Sequence, residues 1–209
     1  MLCGNEIEMK KTILSLLLVI SIAGAAFGQS VESKIREFAA REYPNDSRMQ
    51  QYVYNQQISA YRYMRTVKDA EVKKIALWEY PNDYSMQKYV YDQQLAAKRY
   101  MTTVTDREVK QIALREYPSD YSMRKYVYDQ QLSAKRYMAT VTDREVKGIA
   151  LHEYHNNYSM QKYVYDQQLS AKQYMNAVGN SAAKSRAQRE YPNDYAMQKY
   201  TYDRILSRR

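Results

Sequence analysis

One string, Tyr80-Pro81-Asn82-Asp83-Tyr84-Ser85-Met86-Gln87-Lys88-Tyr89-Val90-Tyr91-Asp92-Gln93-Gln94, returns almost unchanged at Tyr117, Tyr154 and Tyr191, and more loosely at Tyr43. The glutamates before it stand at 42, 79, 116, 153 and 190, so the step is 37 residues every time. A fixed period of this size constrains the fold more than any other feature of the chain. It is the signature of stacked supersecondary units, each too small to bury its apolar face alone.

Residues 105–138 serve to read one unit. Thr105-Asp106-Arg107-Glu108 has the form of a capping box, with Thr105 at the N-cap, and Thr142-Asp143-Arg144-Glu145 repeats it one period on. A short helix follows to about Glu116, with Val109, Ile112 and Ala113 on one face. Tyr117 precedes Pro118, whose ring disfavours helical geometry for the residue before it. Asp120 is then a good N-cap for a second, longer helix from about Tyr121 to Met138.

Placed at 100° steps, the 79–101 copy gathers Met86, Tyr89, Val90, Gln93, Ala97, Tyr100 and Met101 on one side. Tyr84, Tyr91 and Leu95 form a second stripe opposite, and Lys88, Asp92 and Arg99 an edge that should face water. A helix apolar on two sides must be covered on two sides, which stacking on the next unit provides. The expected fold is therefore all-α: five short-helix/long-helix hairpins of 37 residues, beginning near 31, 68, 105, 142 and 179, stacked as a short α-solenoid over residues 29–209. The first and last units deviate as caps do. Ser47-Arg48 replace Tyr-Ser in the first, while 182–189 lacks the capping box and Arg204-Ile205 replace Gln-Gln in the last.

Ahead of the repeats, Lys10-Lys11, the nearly unbroken apolar run Ile13–Ala26 and the small residues around Ala26-Phe27-Gly28 read as a signal peptide over residues 1–28. Met9 is the better initiator than Met1. The run is too short for a bilayer anchor, so the expected product is secreted or periplasmic with no membrane span after cleavage. Its single cysteine, Cys3, lies in that leader, so the rest of the chain has no thiol and must be held by packing.

The net charge of +9 is spread thinly along the repeats rather than concentrated, which argues against a nucleic-acid partner. His152 and His155 are the only histidines, and they take the places of Arg115 and Pro118 in the preceding copy. They read as repeat drift rather than a metal site. No phosphate loop or nucleophile–base set is evident, so no enzyme, metal or cofactor is expected. The methionines Met86 and Met101 and their copies read as core packing. Most of the 24 tyrosines obey the period and read as structural, with an aromatic ladder for sugars or a partner as the other reading. Gln93 of the Gln93-Gln94 pair falls on the apolar face, where its amide should bond a turn or a tyrosine of the neighbouring unit.

The string of the form Tyr-Pro-x-Asp-Tyr-x-Met-Gln-x-Tyr resembles a helical repeat of uncharacterised exported bacterial proteins. The resemblance covers all five units, with weaker matches at Asp46-Ser47-Arg48-Met49 and His155-Asn156-Asn157. It implies a bacterial, exported, helical protein and carries no activity. The functional expectation is a non-catalytic scaffold for a protein or peptide, or alternatively a binder of envelope glycan or an anionic surface. The sequence leaves the oligomeric state and the binding residues open.

Overall fold

The computed structural model describes residues 30–179 and 181–207. The signal-peptide expectation for residues 1–28 lies outside the described residues. Among those described, all regular structure is helical: α1 Val31–Glu42, α2 Ser47–Thr66, α3 Ala70–Glu79, α4 Tyr84–Thr103, α5 Arg107–Glu116, α6 Tyr121–Thr140, α7 Arg144–Glu153, α8 Tyr158–Ala177, α9 Ala182–Glu190 and α10 Tyr195–Ser207. Short and long helices alternate, as the 37-residue period requires.

The helix boundaries follow from local chemistry. Asp120 caps α6 by accepting the Met123 amide at 2.9 Å, and Asp194 does the same for α10 through Met197. The short helices depart from the expected capping box by one residue. Asp106, not Thr105, caps α5 by accepting the Val109 amide at 3.0 Å, and Asp143 caps α7 through Val146. Glu108 is not available to reach back, because the next long helix offers it a lysine (below). At the other end, the Tyr117 amide donates to Ala113 and the chain leaves the helix, as the Tyr-Pro pair dictates.

The chain divides into two compact units. The first runs to Lys68 and takes in Leu77–Lys88; here α1 packs on α2 and buries Ile35 and Ala39. The second holds Asp69–Ala76 and the chain from Tyr89 onward. Within it α5, α7 and α9 each pack on the long helix that follows, and α6, α8 and α10 pack side by side, the stacking expected of a short α-solenoid.

The core of the second unit repeats. Met101, at the end of one long helix, meets Val109 and Ala113 of the next short helix and Val127 and Tyr128 of the next long one. Met138, Val146, Ala150, Val164 and Tyr165 form the same cluster one period later. Each core is thus shared between neighbours. No hairpin encloses it alone, so removing either neighbour would expose it.

The buried face of the long helices corrects the wheel drawn from sequence. In α6 it is one broad stripe, Tyr121, Arg124, Val127, Tyr128, Gln131, Ala134 and Met138, rather than two opposed stripes. In α4, Val90, Ala97, Met101 and, from the second stripe, Tyr91 are buried as expected, whereas Tyr89 and Gln93 face water and Gln94 is buried. The methionines divide too: Met138 and Met175 are buried, Met123 and Met160 only half so.

Among the described residues, the buried atoms without a hydrogen-bond partner are the side-chain oxygens of Gln87, Gln161 and Gln198, whose amide nitrogens are bonded, and the hydroxyl of Thr201. Thr201 stands where the other units carry Val90, Val127 and Val164, is 1% exposed, and its hydroxyl has no hydrogen bond. Thr201→Val is isosteric and removes the unmet hydroxyl. It should raise the unfolding free energy by about 1 kcal/mol, read as a higher thermal midpoint; an unchanged or lower midpoint would show that the hydroxyl is satisfied.

Candidate functional site

The tyrosines separate into positions that hold the stack and one that does not. In the Tyr91 register, Tyr128 and Tyr165 are 3% exposed, and the Tyr128 hydroxyl accepts the Asp106 amide. In the Tyr100 register, the hydroxyls of Tyr100 and Tyr137 donate to Asp129 and Asp166 of the next long helix, each at 2.5 Å. These hydrogen bonds push both phenols up to about 12. At the long-helix start, the Tyr195 hydroxyl donates to Glu145 at 2.6 Å. Each of these residues is explained by its contacts.

The remaining register is different. Tyr89, Tyr126, Tyr163 and Tyr200 are 56–59% exposed, at equivalent places on α4, α6, α8 and α10. Tyr89 and Tyr126 are each met by the glutamine one turn on: Gln93 donates to the Tyr89 hydroxyl at 2.8 Å and Gln130 to that of Tyr126 at 3.3 Å. Arg204 replaces this glutamine beside Tyr200 and lies over its ring. In the first unit Tyr52 is equally exposed and Gln56 donates to it.

This tyrosine face is what sequence reasoning missed, having placed Tyr89 and Gln93 in the core. The signal was present. Some exposed positions have drifted between copies, as Trp78, Arg115, His152 and Arg189 have, while the Tyr89 position, like the exposed glutamate before each turn, is the same in all five units. Packing does not explain that constancy.

A groove of about 550 Å³ runs between α6 and α8 beside Tyr126, with Gln130, Ser133 and Ser159 among its lining residues. Its charges are compensated. Lys125 sits 2.7 Å from Asp129 and 4.6 Å from the Tyr100 ring centre; Lys162 sits 2.6 Å from Asp166 and 4.5 Å from that of Tyr137.

The amide expected at Gln93 belongs instead to Gln94. Its oxygen accepts the Tyr121 and Ser122 amides at 2.7 and 3.2 Å, and its nitrogen donates to Asp120 at 2.9 Å. One side chain thereby completes the N-terminus of the next long helix. Gln168 does the same for Tyr195, Ala196 and Asp194. The account of the amide was right and the residue was its neighbour. Ile205 occupies this position in α10 and packs into the last core cluster.

A second device lies at the short-helix caps. Lys135 bridges Asp106 at 3.0 Å and Glu108 at 2.8 Å; Lys98 holds Asp69 and Glu71 likewise, and Lys172 holds Asp143 and Glu145. The carboxylates raise all three lysines. In return Lys98 and Lys172 lower Asp69 and Asp143. Burial raises Asp106, but the Val109 amide and Lys135 outweigh it and the net shift is downward. Glu71, Glu108 and Glu145 are lowered chiefly by the same lysines.

Carboxylates whose folded values are depressed contribute stability that is complete above their unfolded values of 3.8 and 4.5 and is lost as the pH falls through the folded ones. The raised lysines and tyrosines contribute below their own unfolded values, near 10, and lose it as the pH climbs through the folded ones. The thermal midpoint should therefore be flat around neutrality, falling below about pH 4 and above about pH 10. Lys135→Met should blunt the acid limb. Identical acid limbs in the two proteins would contradict the assignment.

His152 and His155 are exposed, their rings 6.2 Å apart. Among the described residues no three metal-ligating side chains converge, and no helix is long and apolar enough to cross a membrane. Comparison with protein families, with curated proteins and with solved structures finds no match.

Proposed function

We propose that this protein is a non-catalytic, exported scaffold that holds an extended partner along the tyrosine face of its long helices. The observation that carries the reading is the exposed register Tyr89, Tyr126, Tyr163 and Tyr200, set at equivalent places on successive helices. Exposed aromatic side chains with a polar tip are well suited to recognition, since they offer large area at little conformational cost. Repetition turns weak single contacts into a long surface on which they add. The sequence expectation of a protein or peptide partner and that of an envelope polymer both use such a surface. Steep attraction to an anionic surface is the less supported form, because the lysines along the groove already face carboxylates.

The test is a pull-down from a cell-envelope extract with the full chain and with its Tyr126→Ala/Tyr163→Ala variant, washed at low and moderate salt. Both substitutions fall at exposed positions and should leave helicity unchanged. The reading expects a component held by the parent at both salt concentrations and lost by the variant. Equal retention by the two proteins, or retention by neither, overturns it.

A further inference from the structure

We infer that the partner of the tyrosine face is a neutral, extended polysaccharide, with one ring stacking on every second sugar. This rests on the reading of that face as the binding surface and adds the chemical class of what it binds.

Three observations narrow the class. The rings of Tyr126 and Tyr163 are more than half exposed, and a ring face of this kind matches the apolar C–H face of a pyranose. Each ring is bordered by hydrogen-bonding groups suited to hydroxyls. The Tyr126 hydroxyl accepts from Gln130, which leaves its own proton free to donate, and Ser133 and Ser159 line the groove beside it.

Charge is the second observation. Lys125 and Lys162 are each paired with an aspartate of their own helix. A polyanion would have to displace Asp129 and Asp166 to reach them, and a neutral ligand does not. The third is apolar content. Among the described residues lining this groove Tyr126 is the one large apolar side chain, whereas an amphipathic peptide helix needs apolar anchors at successive turns. Spacing is compatible: α6 and α8 pack side by side, and packed helix axes lie about 8–10 Å apart, on the order of a disaccharide repeat.

The experiment is calorimetric titration of the full chain with two neutral series, cello- and chito-oligosaccharides, each from disaccharide to octasaccharide, at low and moderate salt. Affinity should rise with length as more rings are engaged and should not depend on salt. It should fall roughly tenfold for each ring removed in Tyr126→Ala and Tyr126→Ala/Tyr163→Ala. Tyr126→Phe/Tyr163→Phe, which keeps the rings, should retain most of it. Circular dichroism of each variant checks that the stack persists.

Absence of binding at every length overturns the glycan assignment, as does binding indifferent to the rings or lost with moderate salt. If the oligosaccharides fail while the extract still yields a component whose capture needs Tyr126 and Tyr163, the glycan is wrong and the scaffold stands. If both fail, both fall.

Discussion

Replacing Gln94 with leucine is expected to lower the unfolding free energy by about 2–3 kcal/mol, while the same change at Gln93 should stay within about 0.5 kcal/mol. The two residues are adjacent and chemically identical, so the contrast isolates the environment. Gln94 is 4% exposed and makes three hydrogen bonds to the start of the next long helix. Leucine fills a similar volume, so the loss comes from the unpaired amides of Tyr121 and Ser122 and from Asp120 rather than from a cavity. Gln93, on the exposed side, donates to the Tyr89 hydroxyl. Urea unfolding followed by circular dichroism measures both variants. Amide exchange should accelerate at Tyr121 and Ser122 in the first alone. Equal destabilisation would mean that the clamp contributes nothing specific.

Met138→Ala should cost about 2–5 kcal/mol, the range for removing a large apolar side chain from a filled core. Met138 is 3% exposed and belongs to a cluster with Val146, Ala150, Val164 and Tyr165, so truncation leaves a void between two neighbouring hairpins. Met123→Ala, half-buried on the same helix, should cost about 1 kcal/mol. A larger loss at Met123 would restore the wheel that placed both methionine registers in the core. Because each core is shared, the Met138 variant should also unfold less cooperatively, seen as a shallower denaturation slope.

Much of the fold is legible in the sequence because its causes are local. The period locates the hairpins, Tyr-Pro pairs mark where short helices stop, though α7 stops at the same place with His155 in the proline position, and Asp120 and its copies, Asn157 among them, start the long ones. The errors have non-local causes. Thr105 looked like the cap because Glu108 stood ready to complete a box with it; that glutamate is instead drawn to Lys135, more than twenty positions away in the chain. The buried stripe was rotated because tyrosine counts as apolar and glutamine as polar on a helical wheel. Gln94 and Gln131 are buried because the next unit presents unpaired backbone amides and a capping side chain to them. Only the stacked arrangement reveals those partners.

The tyrosine face was hidden by the same rule. Tyr89 lies next to Val90 in sequence and the helix turns 100° between them, so one is buried and the other exposed. Its proposed use for binding rests on exposure combined with constancy, and neither is a property of the residue alone.

The most direct measurement of the central claim is hydroxyl-radical footprinting of the full chain, free and bound to the captured component, read by mass spectrometry at each tyrosine. Free protein should react at Tyr89, Tyr126, Tyr163 and Tyr200 and scarcely at Tyr128 and Tyr165. Binding should protect the first four together and leave Leu114 and Leu151, exposed on the short helices, as reactive as before. Protection on the short helices, with the four tyrosines still reactive, would place the binding surface elsewhere and contradict the account.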